Sequence, residues 1–405
     1  MPKLYFIVVN YFKLMKKLLV FSILSYLFFT LNSNADNTAS VTNNTDGKKV
    51  LNIGVLLPLT GKHGDLGQSF LKAIQMALYD IDNENIKIHI KDSKANALDA
   101  FKAGKDFQKL GIEIVIGPIF FESLERLNEI NNVTFISLTN KTQKIPNNTI
   151  AFGINIKSQI KTLEKYFEKI EVSRTLLLSP KTEFIEQTEI IEESKLKFSR
   201  VFFYDTNPKK ITGEIEKLTK YQERRKDLER RIKILENSDL YKDKKELKKL
   251  EQKHTLGPLE FDSALIVDFD ERLKSILTSF MFSDISNDNV YFFTLNQWFD
   301  NTLFKESAIE NLHFPSINFK NLKKFKKKYF KVYNSKPNEV SILAYDALGL
   351  IYYCWKSNNY EFKTNQLFSK DGFKGLHGEF TIINNLSNQK LKIYKVDKKK
   401  FVEVY

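Results

Sequence analysis

From Val50 onward the chain alternates short apolar runs with stretches of helical period, and this rhythm restricts the fold more than any other feature. Residues 51–57 form an apolar run of buried-strand length, and Phe70, Ala73, Ile74, Ala77, Leu78 and Ile81 follow at helical spacing. Residues 86–90 alternate as a strand does, 97–110 read as a helix, 112–116 as a strand, 124–130 as a short helix and 133–137 as a strand. After Phe152 the pattern restarts, with helices over 160–170 and 183–196, strands over 175–178, 201–204, 264–267 and 290–295, and a helix ending at Phe282. Helices over 322–333 and 340–355 then lead into strands at 379–383, 390–396 and 401–404. Strands alternating with helices imply parallel sheets covered on both faces. A chain of 405 residues has room for two such α/β lobes.

Residues 213–257 break the rhythm. Leu218, Tyr221, Arg225, Leu228, Ile232 and Leu235 recur at alternating spacings of three and four, a narrow seam interrupted by one arginine. Asn237-Ser238-Asp239 reads as a turn, and Leu247 and Leu250 continue a return arm. The pattern predicts an antiparallel helical hairpin inserted in the second lobe, with arms of about 20 residues reaching about 30 Å. It serves as a solvated spacer or as a docking arm for a protein partner.

The N-terminus has the pattern of an export signal. Lys16 and Lys17 precede the apolar run 18–31, and Ser33-Asn34-Ala35 offers small residues where a signal peptidase reads. The expected signal spans 1–35, with Met15 as the more typical start, and a polar linker covers 36–49. The run is short for a full membrane span of about 20 residues. The expected product is therefore a periplasmic protein with no stable membrane span after cleavage. No cysteine follows the cleavage region to take a lipid.

Lys and Arg exceed Asp and Glu by 63 − 49 = 14. The basic residues are spread as lysine doublets, not gathered into one aromatic-flanked patch, so nucleic acid is not expected as a partner. The single cysteine, Cys354, lies in an apolar helical stretch and reads as a small buried residue. His63, His89, His254, His313 and His377 are scattered without metal-ligand spacing. No serine sits in a nucleophile elbow, and Glu192/Glu193 fall in a charged helical stretch. Neither an enzyme nor a metal or cofactor site is expected.

Gly61, Gly64 and Gly67 stand at three-residue spacing in GVLLPLTGKHGDLGQ, residues 54–68. A dinucleotide fingerprint needs its first two glycines two apart, with an acidic ribose partner after the second strand. Asp92 stands near that place, but Pro58, Lys62 and His63 widen the turn, and no GK[ST] phosphate loop follows.

A closer match is to a family. IGVLLPLTG, then G-Q-x-x-x-x-A-I-x-M-A from Gly67, resembles the opening of the type I periplasmic binding proteins, the leucine/isoleucine/valine-binding group. IVIGP (114–118), FISLTN (135–140), SILAYDALGLI (341–351) and FKGLHGEFTI (373–382) followed by LKIYKV continue the likeness in the same order. The inserted TKYQERRKDLERRI (219–232) and the following GPLEFDSALIVD (257–268) are similar to the penicillin-binding protein activator branch, the LpoA-like proteins.

The resemblance implies two Rossmann-like lobes joined by three crossovers and closing over a ligand. Lobe 1 would take about 50–153 plus 296–372, and lobe 2 about 154–295 plus 373–405. Ligands of open α/β sheets lie beyond the carboxyl ends of the strands. The candidate wall in lobe 1 is therefore Thr60, His63, Asp65, Phe121, Ser123, Thr139 and Asn140, and in lobe 2 Ser179, Asp268, Asn296 and Trp298. One departure counts against amino-acid capture: where the family carries a serine-rich turn for a carboxylate, this chain has Ile119-Phe120-Phe121-Glu122-Ser123. Ser123 would begin the next helix and present its N-terminus to an anion. Two binding roles follow: a regulator that contacts a penicillin-binding protein, or the solute-capturing partner of an ABC permease that takes a small amphoteric ligand.

Overall fold

The computed structural model describes residues 49–181, 190–191, 194–286 and 289–405. The expected signal peptide and all of the linker except Lys49 lie outside these residues, as do most of the helix expected over 183–196 and the pair Glu192/Glu193.

Two sheets carry the fold. The first begins with five parallel strands: β1 (Leu51–Leu57), β2 (Ile86–Asp92), β3 (Ile114–Ile116), β4 (Thr134–Ser137) and β5 (Thr149–Ala151). The second begins with β6 (Thr175–Pro180), β7 (Phe198–Tyr204), β8 (Ser263–Ile266), β9 (Tyr291–Thr294) and β10 (His313–Ser316), again all parallel. The last five strands are shared. β11 (Phe373–Lys374), β12 (Glu379–Ile383) and β13 (Leu386–Lys390) extend the first sheet, giving the order β11-β12-β13-β5-β4-β3-β1-β2. β14 (Lys392–Asp397) and β15 (Lys400–Glu403) complete the second, in the order β15-β14-β10-β9-β8-β6-β7.

This division corrects the sequence expectation, which gave 296–372 to the first lobe and 373–405 to the second. β10 belongs to the second sheet and β11–β13 to the first. The chain passes between sheets after β5, after β10 and between β13 and β14, which are separated only by Leu391.

The helices are α1 (Gly64–Ile81), α2 (Ala97–Lys109), α3 (Ile156–Ile170), α4 (Pro208–Leu218), α5 (Tyr221–Glu236), α6 (Tyr241–Leu250), α7 (Asp270–Phe282), α8 (Phe319–Tyr333) and α9 (Ile342–Ser357). Asparagine side chains cap several starts: Asn96 accepts from the amide of Asp99, Asn155 from Ser158 and Asn318 from Asn321. Each satisfies an amide that the first helical turn leaves unpaired. Where one helix was expected over 124–130, two 3-10 turns form, Phe121–Leu124 and Leu127–Glu129. Leu124, Leu127 and Ile130 are all buried at strict three-residue spacing, which suits three residues per turn.

The insertion is a hairpin, but a shorter one than expected. α4 belongs to the body, with Ile211, Ile215 and Leu218 in its main core. Lys220 adopts a left-handed backbone (φ 51°), which resets the helical phase before α5. Leu228, Leu235 and Leu250 then bury one another with Ile232, Leu247 and Leu256 in a separate small core. The arms have 16 and 10 residues, and Arg224, not Arg225, is the buried arginine. Arg224 bonds the Thr255 hydroxyl, which donates to Asp284 at 2.6 Å and ties the hairpin base to the end of α7.

Polar side chains buried where the chain changes sheets hold the passages together. Gln389 of β13 donates to the carbonyls of Phe152 (3.2 Å) and Gly153 (3.1 Å), and its amide donates to Ser158 Oγ (3.0 Å). Asn155 Nδ2 donates to the Ser387 carbonyl at 2.5 Å, so the first and third passages are stitched to each other. Asp346 of α9 accepts from the amides of Leu376 and His377, each at 2.8 Å, and meets His377 Nδ1 at 2.5 Å. The His377 carbonyl in turn accepts from the amide of Asn318, at the second passage.

His313 of β10 lies 6% exposed among Tyr166, Tyr291 and Phe293. Burial lowers its pKa from 6.5 to about 4. The unfolded chain therefore takes up a proton on acidification through 6.5 that the folded chain refuses until about 4. The stabilisation is complete above 6.5 and lost as the pH falls through 4, a difference of about 3 kcal/mol. Urea unfolding at pH 7 and pH 4 is expected to show a loss larger in the parent than in His313→Leu by about 3 kcal/mol; equal losses would place the titration elsewhere.

Gly67 gives a second expectation. A Cβ there would stand 2.0 Å from the Pro58 carbonyl oxygen, whereas one at Gly349 would meet nothing within 4 Å. Gly67→Ala is expected to cost about 1–3 kcal/mol, and Gly349→Ala to add about 0.5–1 kcal/mol within its helix. Thermal unfolding of the two variants reads the contrast.

Candidate functional site

The carboxyl ends of the parallel strands carry the candidate loops. After β1 the turn is pinned by Asp92 at the end of β2, which accepts from the Leu59 amide (2.8 Å), the Thr60 hydroxyl (2.5 Å) and the Lys94 amide (2.9 Å). Burial disfavours the Asp92 charge, but the hydrogen bonds from Thr60, Lys94 and Leu59 outweigh it and hold the pKa below its ordinary value. Asp92 is thus a structural clamp in this chain, not a free ribose acceptor. Gly67 lets α1 approach the Pro58 carbonyl, so at least this glycine of the opening loop serves packing.

His63 and Phe120 meet across the loops after β1 and β3, with ring centroids 4.5 Å apart. Phe121 turns the other way. It is half-buried and packs against the cluster of Leu56, Phe107, Leu124 and Phe135, between the sheet and α2. Ser123 is fully buried, with no hydrogen-bond partner for its hydroxyl. It sits inside a four-residue 3-10 turn, so it does not begin a helix and presents no helix N-terminus. Thr139 is buried and Asn140 exposed. Thr139 Oγ1 accepts from the Lys141 amide at 3.3 Å, and the Thr139 carbonyl from the Gly153 amide at 2.9 Å. Asp65 is exposed in the first turn of α1.

In the second sheet two of the polar candidates, Asp268 and Asn296, bond other side chains. Asp268 is 3% exposed and accepts from the Tyr204 hydroxyl, from Arg272 Nε (2.9 Å) and from the Phe269 amide (2.9 Å). Burial, and then the bond to Asp268, push the Tyr204 phenol well above its ordinary pKa, so it remains a donor. Asn296 has a left-handed backbone (φ 57°) and is held by Gln159 of α3. The Asn296 amide donates to Gln159 Oε1 at 2.6 Å, and Gln159 Nε2 donates to Asn296 Oδ1 at 2.8 Å. Trp298 is half-buried against the main core. Ser179 is buried, its hydroxyl unpartnered like that of Ser123.

Arg272, in the first turn of α7, was legible as a basic residue only four positions after Asp268. Tyr204 and Gln159 were not, since they stand 64 and 137 residues from their partners. Cys354 is buried as expected, and burial pushes its thiol up to about 11. No set of three His, Cys, Asp or Glu able to hold a metal occurs among the described residues. Two grooves lie away from these loops. One of about 610 Å³ runs between Lys161 and Lys165 of α3 and Lys374 and Lys390, and one of about 810 Å³ lies at the hairpin base.

The chain has the type I periplasmic binding protein fold. A candidate branched-chain amino acid ABC transporter from Rhodospirillum rubrum superposes with a TM-score of 0.65 at 12% identity, covering 88% of this chain and 100% of that one. The C-domain of LpoA from Haemophilus influenzae, a regulator of PBP1A, gives 0.59 at 16% identity, covering 87% and 100%. LivJ from Streptococcus pneumoniae, in complex with isoleucine, gives 0.53 at 16%, covering 88% and 100%. Against full-length LpoA the chain spans 59% of that protein's length. No family model matches the sequence, and no curated protein matches it. Within this periplasmic binding protein fold no helix of the described residues is long and apolar enough to cross a membrane.

The placements of Phe121 and Tyr204 are open to measurement. Phe121→Ala is expected to lower stability by about 1–2 kcal/mol, and Tyr204→Phe by about 1.5–3 kcal/mol. A Phe121→Ala protein as stable as its parent in urea would show that the ring adds nothing to that cluster.

Proposed function

We propose that this protein is a non-enzymatic, periplasmic partner-binding protein that regulates cell-wall synthesis by contacting a penicillin-binding protein, as an LpoA-like activator does. One observation carries the reading: several of the polar groups at the strand ends are engaged with one another. Asp268 is bonded by Tyr204 and Arg272, Asn296 by Gln159, and the Thr60 hydroxyl by Asp92. The turn that would receive a carboxylate carries Phe120, its ring on His63. Capturing a zwitterion needs unengaged donors, and breaking such bonds costs about 1–3 kcal/mol for each buried group left unpaired. The fold shared with the LpoA C-domain supports the same reading. In this reading each lobe is built on one sheet, and residues 1–35 direct export.

A second reading, solute capture for an ABC permease, has its own support. Ser123 and Ser179, one beside each sheet, are buried hydroxyls with no partner, and a small amphoteric ligand supplies groups for both. The TM-score to the ABC transporter protein is also the higher of the two.

Crosslinked capture from envelope extracts, developed with fluorescent penicillin, is expected to recover a penicillin-binding protein with the tagged chain. Thermal unfolding against a panel of amino acids and related solutes is expected to stay flat. A shift of several degrees with one solute and no recovered enzyme would replace the first reading by the second.

A further inference from the structure

We propose that the α5–α6 hairpin is a docking surface for an anionic lipid bilayer, with the outer face of α6 lying toward the headgroups and the inter-helix turn entering the interface. This goes beyond the partner reading and does not rest on it.

The outer face of α6 has a single sign of charge. In YKDKKELKKL the exposed positions are Tyr241, Lys242, Lys244, Lys245, Lys248 and Lys249. Both carboxylates of the helix are engaged within the hairpin: Asp243 accepts from the Ser238 hydroxyl at 2.5 Å, and Glu246 from Arg231 at 2.8 Å. Lys244 reaches Asp239 at 3.7 Å, whereas Lys242, Lys245, Lys248 and Lys249 form no ion pair among the described residues. The facing helix differs. On α5, Arg225 pairs with Glu229 and Arg230 with Asp227, so much of its charge is matched locally. Neutralisation was thus available to this sequence and is missing from one face.

The turn adds an independent observation. Ile234, Leu240 and Tyr241 are 56%, 66% and 85% exposed, while Leu228, Leu235, Leu247 and Leu250 satisfy the hairpin's own core. Three exposed apolar side chains at the end of a projecting hairpin, continuous with a lysine row about 15 Å long, match a surface that is anionic outside and apolar beneath. Tyrosine suits that boundary through its apolar ring and polar tip, and lysine stems lie along apolar surface while their ammonium groups stay hydrated. An acidic protein partner accounts for the lysines but leaves the exposed turn without a role. Lysine's flexible point charge also favours a diffuse anionic surface over a carboxylate of fixed geometry.

The test uses the full chain, co-sedimented with vesicles of phosphatidylcholine alone or mixed equally with phosphatidylglycerol. The readout is the gain on adding the anionic lipid, to which the apolar N-terminal run contributes equally in every variant. A gain of at least about tenfold is expected at low salt, falling sharply by 0.5 M NaCl as screening shortens. Replacing Lys242, Lys245, Lys248 and Lys249 together by Gln is expected to abolish the gain, and Leu240→Ser with Tyr241→Ser to reduce it severalfold. As a second measurement, an environment-sensitive dye on Tyr241→Cys is expected to shift to the blue with anionic vesicles; Cys354 is buried and escapes labelling. An unchanged gain in the lysine variant, or an unmoved dye spectrum, overturns the proposal. Loss of an acidic protein partner on the lysine substitutions, with no vesicle binding by the parent, overturns it in favour of a protein-docking face.

Discussion

A chain that builds two sheets and passes between them three times must bury polar backbone at each passage, and the rest of the structure depends on how those groups are satisfied. Gln389, Asn155 and Ser158 supply the partners between the first and third passages. Asp346 fixes the backbone of Leu376 and His377 beside the second. Gly375 is needed for this, since a Cβ there would stand 2.6 Å from Asp346 Oδ2. Two stretches first noticed as family resemblance, SILAYDALGLI and FKGLHGEFTI, thus meet through one carboxylate. Left unpaired, each buried group would cost on the order of 1–3 kcal/mol, so the passages hold only as a set.

The same economy of partners governs the strand-end loops. Asp268, Asn296 and Thr60, which would face a ligand in an open crevice, are bonded to neighbours here, and Phe120 and Phe121 divide their roles by position. Phe120 closes on His63, while Phe121 is half-buried and packs against the cluster beneath α2. Charge follows a different rule on α6, where both carboxylates bond within the hairpin and the lysine ammonium groups are left outside. Body and insertion therefore differ in what they offer a partner.

Much of the architecture was legible because apolar runs and helical periods report burial directly. The strands starting at Leu51, Ile86 and Thr134 and the helices ending at Ile81 and Ile170 lie where their patterns predict. The misses share a cause. His313–Ser316 contains Pro315, and proline in a short run argues against a strand. Leu386–Lys390 reads as polar, yet Ser387 and Gln389 are buried because they bond the passages. Those two strands decide which lobe each terminal segment joins, so their omission misassigned the segments. At the candidate site the loops were legible from strand ends, but the partners Gln159 and Tyr204 act over long sequence separations that no local pattern reveals.

The third passage is a continuous extended run in which Leu391 alone divides one sheet from the other. Ser387, Gln389, Leu391 and Ile393 point inward at alternate positions, and from Tyr394 the inward parity changes to Tyr394 and Val396. Such a segment has no slack. One added or deleted residue would invert the pleat of everything beyond it, turning buried Val396 to solvent and Lys395 to the core. A change of length is therefore expected to be tolerated in places like the α5–α6 insertion, which fills its own small core, while the frame between Leu386 and Asp397 is counted residue by residue.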